Sequence, residues 1–129
     1  MNTYIKPKEE HSDNGMNFVY VMYKGVQISI VRHSYVTFAF EEVGICWKNG
    51  DIDVIGKHDG DLNTLMRLLR KAKKQIDIAE GIKDFVDDHY EHFSCYPMDV
   101  EIENTVYSYE KYWAILDKGT EHGINKYTY

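Results

Sequence analysis

Apolar and polar positions alternate across residues 17–32, NFVYVMYKGVQISIVR, and the alternation predicts a β-hairpin that turns at Lys24 and Gly25. A two-residue loop sets the register of the strands, and three pairs then lie directly opposite each other: Tyr23 and Val26, Val21 and Ile28, Val19 and Ile30. Because direct partners share a face, these six residues form one apolar surface. The other face is mixed and holds Phe18, Tyr20, Met22, Gln27, Ser29 and Val31.

Further strands follow the first hairpin. Residues 35–41, YVTFAFE, are rich in aromatic and β-branched side chains, which favour strands. Asn49 and Gly50 then predict a type I′ turn, because that turn needs positive φ at both central residues. The resulting hairpin has two predicted pairs: Trp47 with Ile52, and Cys46 with Asp53. The chain from about 16 to 55 is therefore predicted to be an antiparallel meander of four to five strands.

A one-sided apolar stripe at helical spacing begins after a polar loop in which Asp59 or Asp61 can act as the N-cap. Its members are Leu62, Leu65, Met66, Leu68, Leu69, Ala72 and Ile76. A second stripe restarts out of phase and comprises Ile82, Phe85, Val86, His89 and Phe93. Since Gly81 lies at the phase change, two helices are predicted to pack on the sheet, at about 61–78 and 80–93, with one kinked helix as the alternative.

The C-terminal part is expected to add a short strand, a short helix or both. Alternation over 99–107 predicts an edge strand that returns to the sheet, and residues 107–116 predict a short helix. The predicted fold class is therefore α+β. Residues 1–15 are polar and are predicted to form a flexible N-terminal arm or one weak edge segment, followed by a single α+β domain over 16–129.

The composition is that of an ordinary globular protein, with 43% hydrophobic and 28% charged residues over 129 positions. A formal net charge of −6 disfavours wholesale nucleic-acid binding, which usually needs a basic surface, and favours a basic partner. Cys46 and Cys95 lie far apart without CxxC spacing and are expected to be reduced thiols in the cytoplasm, with a single disulfide as the alternative. We expect no signal peptide and no membrane contact, because no apolar run approaches about 18 residues.

Carboxylates and aromatic side chains form the predicted partner-binding surface. Six acidic residues lie between positions 77 and 91, where they could occupy a basic groove or simply form a solvated helix face. The chain also holds 11 tyrosines, and Tyr and Trp are enriched at interfaces, although part of this set is expected in the core. The predicted contact residues are Asp84, Asp87, Asp88, Glu91, Tyr107, Tyr109, Tyr112 and Trp113.

A basic cluster lies on the first predicted helix and consists of Arg67, Arg70, Lys71, Lys73 and Lys74. Five cations within eight positions could bind phosphate groups, so a nucleic-acid-binding module is the alternative to an acidic binding protein. They could equally be a solvated face, since cations are favourable near the C-terminal end of a helix. The acidic run that follows would partly neutralise them.

His89, His92 and Cys95 show the only spacing in the sequence that resembles a metal site. His89 and His92 share a helix face and Cys95 follows one turn later, but no second cluster supplies a fourth ligand. Glycine-rich phosphate loops, nucleophile elbows and HExxH zinc motifs are absent from the sequence. No catalytic residue and no cofactor is therefore predicted, and a small metal-dependent or cysteine enzyme is the least favoured alternative.

Small acidic domains without catalytic motifs commonly act by binding and blocking. The chain is therefore expected to be a non-enzymatic protein that inhibits or modulates a larger macromolecule, as phage-encoded anti-defence (anti-CRISPR-like) inhibitors and immunity-type proteins do. Its partner is expected to be a protein with a basic surface. A homodimer is a further expectation, because the second face of the first hairpin is too apolar to be left bare, with Phe18, Tyr20, Met22 and Val31.

Overall fold

A computed structural model describes residues 8–11, 17–34, 39–58 and 60–119. In chain order the elements are β1 (Lys8–His11), β2 (Asn17–Tyr23), β3 (Val26–Ser34), β4 (Ala39–Cys46), β5 (Ile52–His58), α1 (Leu62–Phe93), β6 (Asp99–Ile102), β7 (Thr105–Ser108) and α2 (Tyr109–Gly119). The predicted α+β class is confirmed. Nowhere in these described ranges is a helix long and apolar enough to cross a membrane.

Two compact units divide the chain. The sheet unit comprises the described residues of 1–47 and 52–74, and the hairpin unit comprises those of 48–51 and 75–129. The helix α1 supplies its first residues to the sheet unit and the remainder to the hairpin unit. Whether 16–129 folds as one domain stays a prediction.

Five antiparallel strands form the sheet in the order β1-β2-β3-β4-β5, which confirms the predicted meander. The first hairpin also has its predicted register, with Tyr23 opposite Val26 and Val21 opposite Ile28. Its turn residues Lys24 and Gly25 have φ of 52° and 78°. Both angles are positive, as a two-residue type I′ turn requires, and that turn keeps the strands in register.

The predicted turn of the β4–β5 hairpin is wrong by one residue. Cys46 pairs with Ile52 rather than with Asp53, so the loop covers Trp47 to Asp51. Asn49 is not among the residues with positive φ. Its backbone N–H instead donates to the carbonyl of Lys118 at 3.1 Å, while its side-chain oxygen accepts from the N–H of Asp51 at 2.9 Å. These contacts hold a wider loop in place of the type I′ turn.

The core of the sheet unit lies between one face of the sheet and the start of α1. Its buried apolar residues are Val21, Val26, Ile28, Ile30, Val43, Ile45, Trp47, Leu68 and Ala72. Gly56 lies on this face opposite Val43, and a Cβ there would be 2.6 Å from Cδ2 of Leu68. The missing side chain of Gly56 therefore makes room for Leu68 of the helix.

A β-bulge separates Gly56 from the preceding pair of β5. Val43 pairs with Gly56 and the next residue, Gly44, pairs with Val54, so Ile55 has no direct partner on β4. The extra residue changes the alternation of faces along β5. As a result, Gly56 lies on the core face of the sheet. Simple alternation from Asp53, which is also on the core face, would place Gly56 on the outward face.

Helix α1 is continuous from Leu62 to Phe93, so the prediction of two helices over 61–78 and 80–93 is wrong. The buried positions of its second half run on at regular helical spacing: Ile76, Ala79, Ile82 and Val86. The apparent phase change arose from Phe85 and Phe93, which are 45% and 67% exposed. Gly81 disfavours a helix by only about 1 kcal/mol, which tertiary packing overrides.

Side chains and backbone define both ends of α1. Asp61 is the N-cap: its carboxylate accepts from the N–H of Asn63 at 3.1 Å and from the hydroxyl of Thr64 at 2.7 Å. The hydroxyl of Thr64, followed by the N–H of Asn63, holds the pKa of Asp61 below its usual 3.8. At the other end, Ser94 has a φ of 56° and its N–H donates to the carbonyl of Tyr90 at 2.8 Å.

The predicted single edge strand over 99–107 is also wrong. β6 and β7 form a separate two-stranded sheet, joined by Glu103 and Asn104 with φ of 49° and 67°. Helix α2 follows directly, close to the predicted helix over 107–116. The core of this unit joins α1, β6 and α2 through Ile82, Val86, Val100, Tyr112 and Leu116.

Some expectations fall on positions that lie outside the described residues. These are residues 1–7 and 12–15 of the predicted arm, 35–38 of the predicted third strand, and the alternative cap Asp59. The described part of the arm is β1, which pairs with β2 at the edge of the sheet.

Candidate partner-binding surfaces

Four predicted contact residues form an exposed acidic face on the second half of α1: Asp84, Asp87, Asp88 and Glu91. They recur at spacings of three and four residues, which places them on one side of the helix. The buried residues Ile82 and Val86 lie on the opposite side. This part of the sequence prediction is therefore brought together by the helix as one surface, which we call the acidic face.

Neighbouring side chains lie close to two of these carboxylates. Nζ of Lys83 lies 3.0 Å from Oδ2 of Asp87, one helical turn away. This hydrogen bond raises the pKa of Lys83 above its usual value, against the opposing effect of partial burial. Nδ1 of His92 lies 3.5 Å from Oδ1 of Asp88. Exposed pairs of this kind contribute little to stability, so both carboxylates stay accessible to a competing cation.

The position of the acidic face along α1 does not favour the helix itself. The negative end of the helix dipole is at the C-terminus, so carboxylates stabilise the first turn and oppose the last. In α1 the first turn has no acidic residue, while Glu91 lies in the last turn. Helix stability therefore gives no reason for this placement of negative charge.

The predicted aromatic contact residues divide between core and surface. Tyr112 is fully buried and its hydroxyl donates to the carbonyl of Pro97 at 2.6 Å, so it cannot contact a partner in the folded protein. Burial, followed by the nearby Tyr109, raises the pKa of Tyr112. Tyr107 is half-buried against the same core. Tyr109 is 49% exposed and remains the most accessible aromatic contact residue of the prediction.

Rings from two segments pack around Trp113. Tyr96 meets it edge-on with ring centroids 5.0 Å apart, and Tyr109 meets it at 6.2 Å. Tyr112 lies on a third side at 5.6 Å. Such edge-on arrangements are favourable contacts between aromatic rings. Trp113 is therefore a half-buried ring with a fixed orientation at the surface.

A shallow groove of about 450 Å³ opens on the outer side of α2. Its lining residues in the described chain are Tyr109, Glu110, Trp113, Ala114 and Asp117. The sequence prediction included the two aromatic residues but missed Glu110 and Asp117. Their seven-residue separation places them on the same side of a helix as the rings, and this spacing was the available signal.

The basic cluster is exposed on the first half of α1, except for one member. Lys73 is half-buried, with Nζ 5.6 Å from the ring centroid of Tyr23. The exposed members, which we call the basic face, are Arg67, Arg70, Lys71 and Lys74. Because α1 runs on to Phe93, these cations do not lie near its C-terminus. The dipole explanation for a merely solvated basic face is therefore wrong.

Two of the three weak metal-ligand candidates, His89 and His92, form hydrogen bonds to backbone carbonyls. Nδ1 of His89 donates to the carbonyl of Cys95 at 2.8 Å, and Nδ1 of His92 donates to the carbonyl of Asp88 at 2.9 Å. The ring of His89 also stacks on Phe85 and lies tilted against Phe93, with ring centroids 6.3 Å and 4.7 Å apart. Among the residues that the structure describes, no group of three or more His, Cys, Asp or Glu side chains could hold a metal ion.

The outward face of the sheet exposes apolar side chains. Met22, Ile52 and Val54 are 44%, 65% and 57% exposed. They flank a polar row in which Gln27 donates to Ser29 at 2.8 Å, and the Ser29 hydroxyl lies 3.2 Å from the thiol of Cys46. Tyr20 and Val31 of the predicted apolar face are half-buried. The side chain of Phe18 lies outside the described residues.

One buried histidine was not predicted from the sequence. His58 is 7% exposed, and its Nδ1 accepts from the N–H of Gly60 at 3.2 Å. Its Nε2 lies 3.0 Å from Oε1 of Glu41, close but not aligned as a hydrogen bond. Nδ1 is thus hydrogen-bonded and Nε2 faces a carboxylate, which suits a structural role that links β4, β5 and the loop before α1.

Comparison with known proteins adds no relative: no family model, no curated protein and no solved structure matches the chain. Function is therefore inferred from the surfaces of the protein itself.

Proposed function

We propose that the protein is a non-enzymatic binding protein that modulates a larger macromolecule through the acidic face of α1. The observation that carries this proposal is the exposure of the four carboxylates on one side of the helix, with Glu91 in the last turn, where the dipole opposes it. Local rules that a sequence breaks without gain for the fold commonly mark functional positions. A basic surface on the partner would offset this unfavourable negative charge.

The kind of target follows from the same charges. Carboxylates at helical spacing can enter a groove that normally holds a phosphate backbone. An inhibitor of a defence nuclease, such as a phage-encoded protein, and an immunity-type protein that blocks a toxin would both need such a face. A cytoplasmic location belongs to this proposal, and the free thiols of Cys46 and Cys95 fit it.

A charge-neutral variant tests the acidic face directly. The partner is first captured from cells that naturally contain the protein, and its affinity is then measured for wild type and for the quadruple variant Asp84→Asn, Asp87→Asn, Asp88→Asn, Glu91→Gln. Because complementary charge mainly speeds association, we expect roughly a tenfold loss of affinity at low salt and a smaller loss at high salt.

A matched control removes the same net charge elsewhere in the hairpin unit and its exposed loops: Asp51→Asn, Asp99→Asn, Glu101→Gln and Glu103→Gln. We expect this control to bind the captured partner almost as wild type does. Equal losses for both variants would mean that only net charge matters, and the acidic face would then be rejected as the contact site.

Nucleic-acid binding by the basic face is the second candidate function. Arg67, Arg70 and Lys71 are exposed, and within the described part of the chain none of them forms an ion pair. A gel-shift assay at low salt with single- and double-stranded DNA and RNA tests this candidate. Replacement of these three cations by Gln should abolish any shift, and no shift of wild type at micromolar protein rejects the candidate.

A homodimer through the outward face of the sheet remains part of the proposal. The supporting observation is the exposure of Met22, Ile52 and Val54 on one side of the sheet. Sedimentation equilibrium of wild type and of Val54→Lys measures it. A dimer that Val54→Lys converts to a monomer supports this interface, and a wild-type monomer at high micromolar concentration excludes it.

A further inference from the structure

The groove on the outer side of α2 combines two kinds of side chain that together recognise one kind of ligand. Tyr109 and Trp113 supply aromatic rings, and Glu110 and Asp117 supply carboxylates. Ala114 lies between them and its methyl group leaves the groove open. Aromatic faces attract cations within about 6 Å of the ring centroid, and carboxylates attract the same charge through hydrogen bonds.

We propose that this groove binds an arginine side chain of the basic partner. The inference rests on the proposed function, since it names a particular contact that such a partner would make. Arginine fits better than lysine because its planar guanidinium stacks on an aromatic ring while its N–H groups reach a carboxylate. The groove offers both partners along a single helix face.

The rings are held in place before any ligand arrives. Trp113 is packed by Tyr96 at 5.0 Å and by Tyr112 at 5.6 Å. Tyr112 is in turn fixed by its hydrogen bond to the carbonyl of Pro97. Only Tyr109 is largely exposed among the lining rings. A preorganised site of this kind loses little side-chain entropy on binding.

The N-terminus of α2 favours a negative charge at the groove. The hydroxyl of Ser108 accepts from the N–H of Lys111 at 3.5 Å, as an N-cap does. Glu110 lies in the first turn, where the dipole favours a carboxylate. Unlike Glu91, Glu110 is therefore in a position that suits its own helix. The acidic face and the groove therefore differ in how their carboxylates affect their own helices, and substitutions can test the two surfaces separately.

A titration of the full-length protein with a short arginine peptide tests the groove. The probe is acetyl-Gly-Arg-Gly-Arg-Gly-amide, and the readout is the set of NMR shifts of the tryptophan indole groups and backbone amides. Matched peptides contain lysine or citrulline in place of arginine. We expect the Trp113 indole and the Glu110 amide to shift with arginine, less with lysine, and hardly at all with the neutral citrulline. The Trp47 indole serves as an internal control, since it is buried in the sheet unit.

Two variants then test the lining residues. Glu110→Gln removes one charge, and Ala114→Leu fills the groove with a side chain that favours helices. Each should weaken arginine-peptide binding by about three- to tenfold, the size expected for an exposed ion pair or cation–aromatic contact. Glu101→Gln, on the exposed side of β6, removes the same charge elsewhere and should leave the affinity unchanged.

The outcomes distinguish this inference from the proposed function. If the arginine peptide shifts only the amides around Asp84, Asp88 and Glu91, the groove is rejected and the acidic face stands. Equal binding of the citrulline peptide rejects the cation as ligand, and no binding at millimolar peptide also rejects the groove. Loss of the captured partner on neutralising the acidic face, with a silent groove, supports the proposed function alone.

Discussion

The exposed side of α1 is basic in the sheet unit and acidic in the hairpin unit. The basic face, at 67–74, lies in the half nearer the N-terminus, and the acidic face, at 84–91, lies nearer the C-terminus. The dipole of α1 favours neither face, because the basic face begins beyond the first turn and Glu91 of the acidic face lies in the last. The helix dipole therefore explains neither charged face, and each has to be tested as a binding surface.

The two cores differ as well. In the sheet unit, Ile28 lies on a central strand with Val21 and Ile45 as direct partners on its two neighbours. In the hairpin unit, the core is a cluster of five fully buried residues from α1, β6 and α2. One core is built from paired strands, the other from side chains that meet across several short elements.

The largest expected effect comes from truncating one isoleucine in each core. Ile28 and Ile82 are both fully buried. We expect Ile28→Ala to lower the free energy of unfolding by about 4 to 5 kcal/mol and Ile82→Ala by about 2 to 3, because hydrogen-bonded strands on both sides prevent collapse around Ile28. Urea unfolding followed by amide NMR signals of each unit measures both values. A larger loss for Ile82→Ala would reverse this view of the two cores.

Overpacking between sheet and helix should have a smaller effect. Gly56→Ala would place a methyl group 2.6 Å from Cδ2 of Leu68. We expect a loss of about 1 to 3 kcal/mol, confined to signals of the sheet unit. In the Leu68→Ala background the same substitution should be nearly neutral, since the clash is gone. Additive losses in the double variant would show that Leu68 is not the obstacle.

Tyr112→Phe probes the buried hydroxyl of the hairpin unit. It leaves the carbonyl of Pro97 without its donor, and we expect a loss of about 1 to 2 kcal/mol at neutral pH. Because burial raises the pKa of Tyr112 above 10.0, ionisation favours the unfolded chain as the pH rises above that value. The advantage of wild type should therefore shrink above pH 10 in urea titrations. Tyr109→Phe, at an exposed ring, is the control and should change stability by less than about 0.5 kcal/mol.

The smallest effect should come from single carboxylates near the helix ends, where they interact with the helix dipole. Glu91→Gln removes a carboxylate from the last turn of α1, and Glu110→Gln removes one from the first turn of α2. We expect the first to raise stability and the second to lower it, each by about 0.3 to 1 kcal/mol at low salt. Thermal unfolding at 20 mM and 500 mM salt follows both, a range chosen to screen exposed charges. Destabilisation by Glu91→Gln would remove the main argument for the acidic face.

The sheet unit was largely predictable because its signals are local. Positive φ at Lys24 and Gly25 closes the first hairpin without help from the rest of the chain. Alternation then sorts Val21 and Ile28 to the core. The β4–β5 turn could not be predicted, since the backbone of Asn49 bonds to Lys118, a residue far along the sequence.

The structure of the hairpin unit was harder to predict from the sequence pattern. Phe85 and Phe93 belong to the predicted second apolar stripe, and their exposure removes the apparent break in α1. Glu103 and Asn104 adopt positive φ although neither is a glycine, so the turn between β6 and β7 had little sequence signal. For the candidate site, charged residues were found from spacing alone, whereas the burial of Tyr112 depends on two other elements, α1 and β6.

The bulge in β5 has a consequence for changes in chain length. Removal of one residue from a strand normally turns every later side chain to the wrong face. Here Ile55 is the one residue of β5 between Val54 and Gly56 that has no direct partner on β4. Its deletion would leave Asp53, Val54 and Gly56 opposite their present partners in an uninterrupted ladder. The strand thus contains a position at which natural or engineered variants can lose a residue and keep the sheet.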